Sequence, residues 1–286
     1  MNSGLTDVRQ RSPQLGAVCG IIDTQQIRWY PYRMKREAWD RFTGAREHYR
    51  RETERLSRKL PGLKSLQQKL ADGRGASYRV ETPVVYNAAL DDVREDSDIR
   101  LILVADNPGR REQAAENRRY LVGPSGKIAE KFFRDNPSLK MDFRKNVIIL
   151  NKTPIHTART TELWDLLRLG GQTPGLRALE TALDESQRLM ARLLLEFHEA
   201  LSYANKVMPV WITGYSEMKK GGVFEAYTEE LKAVYAKNAL KNKMFLYRHF
   251  SMNQFTIDLK RQSAEGETLL MTLNRIGTAY RKRFLW

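Results

Sequence analysis

The sequence predicts an α/β fold, with a central parallel sheet of about four strands flanked by helices, on two observations. Four short β-branched or apolar runs, Leu101 to Ala105, Val147 to Leu150, Val210 to Thr213 and Met244 to Tyr247, each give way to turn residues and then to a helical pattern. Between them lie amphipathic stretches such as Gly126 to Arg134, Ser186 to Leu201 and Phe224 to Ala236, long enough for right-handed crossovers between parallel strands. Strands that alternate with helices assemble into one sheet with helices on its faces. Pro209, just ahead of the third run, suits a strand start because proline cannot donate to a ladder.

Ahead of the sheet, Met34 to about Leu70 reads as helix, with Trp39, Phe42, Leu56 and Leu60 as apolar points among many arginines and Pro61-Gly62 as a break. Asp72-Gly73-Arg74-Gly75 forms a joint. These features predict a basic helical N-terminal extension over residues 1–75 and an α/β domain over 76–286. In the extension, Trp29, Tyr30 and Tyr32, beside Arg28 and Arg33, offer rings and charge that can stack on bases, against the plainer reading of a solvated basic face. The acidic stretch Asp91 to Asp98 is expected to face solvent. The closing Arg281-Lys282-Arg283-Phe284-Leu285-Trp286 mixes charge with apolar bulk, to dock on the body or on a partner.

Composition narrows the partners. There are 49 Lys and Arg against 34 Asp and Glu, a formal charge of +15, which favours polyanions, nucleic acid before anionic lipid. No run approaches a membrane span, and the opening MNSGLTDVRQRSPQ lacks the apolar core of a secretion signal, so a cytoplasmic protein without a membrane partner is expected. Cys19 is the single cysteine and the four histidines are scattered, so neither an internal disulfide nor a structural metal site is expected.

Open α/β sheets bind ligands outside the carboxyl ends of their strands, so the residues leaving each run are the candidates for function. The first run exits into Asp106-Asn107-Pro108-Gly109, which sets a carboxylate beside an amide on a tight turn. The second exits at Asn151, whose side chain both donates and accepts and so can read the polar edge of a base. The third exits at Gly214-Tyr215-Ser216, followed by Lys219 and Lys220, a hydroxyl loop suited to phosphate. The fourth exits at His249-Phe250-Ser251, with the histidine best placed to act at a reacting centre. Each has a plainer reading, since Asn-Pro-Gly is a common turn, a lone histidine is usually structural, and an asparagine often caps its own loop. The run Gly123 to Lys127 is not a Walker loop, because Leu121 and Ile128 stand where that pattern needs glycine and a hydroxyl.

Taken in order, these motifs resemble those of the uracil-DNA glycosylase superfamily over roughly 101–259. Ala105-Asp106-Asn107-Pro108-Gly109 is similar to its Gly-X-Asn-Pro-Gly and Gly-Glu-Ala-Pro-Gly motifs. Leu121-Val122-Gly123-Pro124-Ser125-Gly126-Lys127 resembles the segment that comes next in the thermostable bacterial family, and His249 with Ser251 resembles the His-Pro-Ser motif. The resemblance implies Asp106, Asn107 and His249 as catalytic residues, Asn151, Tyr120 and Pro108 around the base, and Gly214, Ser216, Lys219, Ser251, Met252 and Asn253 on DNA. Ala105 stands for the usual glycine, Phe250 for proline, and Met252-Asn253 for the usual apolar wedge; the stacking aromatic aligns with Leu121, which leaves Tyr120 one position away. The iron–sulfur cysteines of the thermostable family are missing.

On that resemblance the expected function is hydrolysis of the N-glycosidic bond of uracil or a related deaminated base in single- or double-stranded DNA. No metal or organic cofactor is expected. A DNA-binding protein that keeps the fold without turnover, and an enzyme acting on free nucleosides, use the same exits.

Overall fold

The computed structural model describes Met1 and residues 34–173, 175–203 and 206–286. The chain divides into two units, Met1–Tyr30 and Pro31–Trp286, and every described helix and strand belongs to the second. Cys19, Arg28, Trp29, Tyr30, Tyr32 and Arg33 lie outside the described residues.

In chain order the second unit runs α1 (Arg36–Lys59), α2 (Leu63–Gly73), β1 (Leu101–Ala105), α3 (Pro124–Asp135), β2 (Val147–Asn151), α4 (Glu162–Gly171), α5 (Leu179–Leu201), β3 (Val210–Thr213), α6 (Glu225–Val234), β4 (Met244–Tyr247), α7 (Gln254–Gln262) and α8 (Leu269–Phe284). The strands form one parallel sheet in the order β2-β1-β3-β4. Every strand residue is buried, which is why the strands read as continuous apolar runs and not as alternating ones. The register sets Ala105 opposite Asn151 and Thr213 opposite Tyr247, so the polar exits start from one level of the sheet.

Helices cover the sheet through aromatic contacts. Trp211 of β3 stacks on Phe133 of α3 at 5.7 Å and on Phe255 of α7 at 5.8 Å. The edge strand β4 is sheltered by α8, which comes so close that a Cβ at Gly277 would lie 2.6 Å from that of Phe245. Only glycine permits that approach, and the helix conceals an edge otherwise open to pairing.

The division falls at Tyr30 and Pro31, whereas the sequence sets a boundary near residue 75. Helix α1 buries Ala38, Phe42, Ala45, Tyr49, Thr53 and Leu56, an i, i+3, i+4 stripe, against α5. Phe42 meets Phe197 edge-on at 5.4 Å, and His48 Nδ1 lies 3.0 Å from Glu196 Oε1. The first two helices therefore belong to the α/β core, and the arginines between their apolar points form the outer face. Among the described residues, no helix is long and apolar enough to cross a membrane.

Candidate active site at the strand exits

Three of the four exits meet at one ammonium group. Lys152, the first residue beyond β2, has a fully enclosed side chain whose Nζ donates to Asp106 Oδ1 at 2.5 Å and to the Thr213 carbonyl at 2.6 Å. The same nitrogen lies 5.0 Å from the centre of the Phe224 ring. Burial pushes the lysine down from its ordinary range, and the charge of Asp106 pulls it back. The other carboxylate oxygen, Asp106 Oδ2, accepts from Thr160 Oγ1 at 3.1 Å. Gly214, at φ +76°, completes the corner, since a Cβ there would stand 2.5 Å from Asp106 Oδ1. Both the left-handed backbone and the space demand glycine.

The fourth exit brings His249 within electrostatic reach of this pair. The Ser251 backbone N–H donates to His249 Nδ1 at 3.0 Å, so the neutral ring carries its proton on Nε2. Burial holds the imidazole below its ordinary range, with Asp106 raising it and Lys152 lowering it. The result is a neutral hydrogen-bond donor beside a carboxylate.

Asn151 is the exception among the buried polar groups of the exits. It is 1 % exposed, yet neither Oδ1 nor Nδ2 has a hydrogen-bond partner. A buried donor or acceptor left unmade costs about 1–3 kcal/mol, and native proteins carry few of them. An amide with both ends open, level with Ala105 and next to the Lys152 corner, is suited to a partner that itself both donates and accepts.

Asn107 is held differently. Its Nδ2 donates to Thr157 Oγ1 at 2.9 Å and to the Thr157 carbonyl at 3.2 Å, bonds that leave Oδ1 as its free acceptor. The Pro108 carbonyl accepts from His156 Nδ1 at 2.8 Å, and His156 Nε2 accepts from Tyr78 OH at 3.1 Å. Burial lowers His156 to about 4, so it stays neutral and holds this chain of bonds in one direction. Buried Glu112 accepts from the Gly109 N–H at 3.2 Å and from the backbone of Leu121 and Gly123, and burial pushes its carboxyl up to about 7. The turn after β1 is thus stapled to the segment ahead of α3.

The remaining predicted residues divide into three groups. Ser216, Lys219, Met252 and Asn253 are exposed, and Met252 is 80 % exposed at φ +50°, next to Asn253 at φ +57°. Pro108 and Gly214 shape the backbone, as Ser251 does through its N–H. Tyr120 takes a part other than the stacking expected of it: it is buried, and its hydroxyl bonds the Val85 carbonyl at 2.6 Å and the hydroxyl of Tyr49 on α1. Its polar end is committed to fastening the first helix. Leu121, in the aligned position, is buried at φ +53°.

Lys152, Thr157, Thr160, Glu112 and His156 were not among the expected site residues. For Lys152 the available signal was adjacency, because it directly follows Asn151. Exposed arginines and lysines ring the exits: Arg110 and Arg111 after β1, Arg159 after β2, Lys219 and Lys220 after β3, and Arg248 after β4. Among the clefts that lie elsewhere are one of about 710 Å³ lined by Asn87, Arg119 and Arg144 and one of about 730 Å³ between α3, α7 and α8. Among the described residues, no three His, Cys, Asp or Glu side chains gather as a metal-binding group. No protein-family model matches the chain, and no curated protein matches it in sequence.

Proposed function

We propose that the protein is a DNA glycosylase of the uracil-DNA glycosylase type, hydrolysing the N-glycosidic bond of uracil or a related deaminated base. The observation that carries this reading is the buried Asn151 amide, unpartnered at both ends, one residue before the Lys152 that holds the Asp106 carboxylate, within whose electrostatic reach His249 lies. A uracil-like ring presents an adjacent carbonyl and N–H, the complement of that amide. As the bond breaks, the electron pair leaves on the base nitrogen and cationic character builds on the sugar. His249 Nε2–H donates to the departing base, and Asp106 supplies the opposing charge. A water accepted by Asn107 Oδ1 adds its oxygen to C1′, and its proton passes to the departing base or to solvent. The basic residues around the exits grip backbone phosphates, and exposed Met252 provides an apolar tip at the fourth exit.

The second reading, a binding protein without turnover, draws on the full engagement of Asp106 by Lys152 and Thr160. Incubation with single- and double-stranded oligonucleotides carrying uracil, hypoxanthine or xanthine, followed by alkali, separates the two. Strand breaks that disappear in Asp106→Ala or Asn107→Ala support the enzyme. Salt-sensitive binding with no breaks supports the binder, and salt-insensitive cleavage of free nucleosides overturns both.

A further inference from the structure

We infer that Lys152 is a positioning residue that clamps Asp106 as a fixed negative charge beneath the sugar, so that Asp106 is not the group that takes a proton from water. The inference rests on the glycosylase reading and adds a division of labour within that site.

The geometry argues it from three sides. First, the Lys152 ammonium has its donors committed to Asp106 Oδ1, to the Thr213 carbonyl and toward the face of Phe224, and its side chain is wholly enclosed. An amine so placed cannot reach a sugar as a nucleophile; it acts only through what it holds. Second, Asp106 is gripped at both oxygens, by Lys152 on one and Thr160 on the other, with Gly214 closing the remaining side. A carboxylate that must swing or accept a proton is poorly served by two donors and a contacting backbone, whereas one that must stay still and charged is well served. Third, Asn107 keeps an acceptor oxygen outside its bonds to Thr157, so the neighbouring residue can orient water.

Each element packed around Asp106 contributes one group to its environment. Lys152 follows β2, Thr160 precedes α4, Gly214 follows β3 and His249 follows β4, while Glu217, in the turn after Gly214, acts on Lys152. Within this set Lys152 is the group that bonds an Asp106 oxygen from the neighbouring strand, while burial holds His249 below its ordinary range. Removing the lysine leaves Asp106 Oδ1 without its donor and the carboxylate held by Thr160 alone.

The test compares wild type with Lys152→Met on a uracil-containing single-stranded oligonucleotide, measuring kcat and KM between pH 5 and 9. The expected result is a 10- to 100-fold lower kcat at pH 7 with a KM within about twofold of wild type. A KM raised in step with the loss of kcat, or no loss at all, overturns the inference. If Lys152→Met does not fold, nitrogen-15 NMR of the wild type decides: a lysine ammonium slow to exchange with solvent and close to the Phe224 ring is expected, and its absence is a refutation. That measurement needs no turnover. A wild type that excises no base therefore sinks the glycosylase reading alone, while the NMR still reports whether Lys152 holds Asp106.

Discussion

Asp106 and Asn151 stand at the ends of adjacent strands, one residue apart in register, and the protein treats them in opposite ways. The carboxylate has a buried lysine on one oxygen and a hydroxyl on the other, whereas the amide, more deeply buried, has nothing on either end. One corner is complete within the chain; the other becomes complete only through something added to it. That asymmetry separates the part of a site that stabilises charge, which works best when fixed in advance, from the part that recognises, which works only if its partners are left open.

The comparison can be broken most severely at Lys152. Lys152→Ala strands Asp106 without its counter-ion and is expected to lower stability by about 3–5 kcal/mol in urea titrations; a change under about 1 kcal/mol would mean that the corner is not held by the pair. Asn151→Leu tests the opposite side. Excision is expected to fall by about 10²–10³-fold, with stability unchanged or raised, because no hydrogen bond is lost and two unmade ones are removed. A clear drop in melting temperature would show that Asn151 has a structural partner after all.

His156 sharpens the contrast by pH. Its folded value of about 4 lies below the ordinary 6.5 of an unfolded chain, so the unfolded state binds more protons between the two values. Its stabilisation is full above about pH 6.5 and is lost as pH falls through about 4, a difference of about 3 kcal/mol. Glu112, raised from 4.5 to about 7, works the other way, losing stability as pH rises across that interval. The histidine's share is therefore the difference between wild type and His156→Gln: between pH 4 and 6.5 the stability of wild type changes with the more positive slope, since Glu112 alone is left to lower it in the variant; equal slopes would contradict it. The smallest effect belongs to Met252→Ala, where excision from duplex is expected to weaken a few-fold, excision from single strands to hold, and stability to stay within about 0.5 kcal/mol.

The sheet was legible in the sequence because a fully buried parallel strand leaves an unbroken apolar run and a turn after it. β1, β3 and β4 fall where those runs fall, and β2 extends only one residue further, through Asn151. The candidate residues on the turns were legible for the same reason, since the ends of the runs point to them. Lys152 was not, because a lysine is rarely buried without a partner and its partner lies 46 positions away, in another exit. The place of α1 was hidden too: arginine-rich helices look like appendages until the opposing face of α5 is known.

The packing of α1 on α5 also sets a schedule for synthesis. His48 meets Glu196, 148 residues later, so the helix carrying Phe42, Tyr49 and Leu56 leaves the ribosome long before the surface that will cover it. At typical translation speeds that interval is on the order of ten seconds. The segment made earliest in the folded unit waits until α5 has followed it before it finds shelter, and during that wait its apolar stripe is open to a chaperone or to another nascent chain.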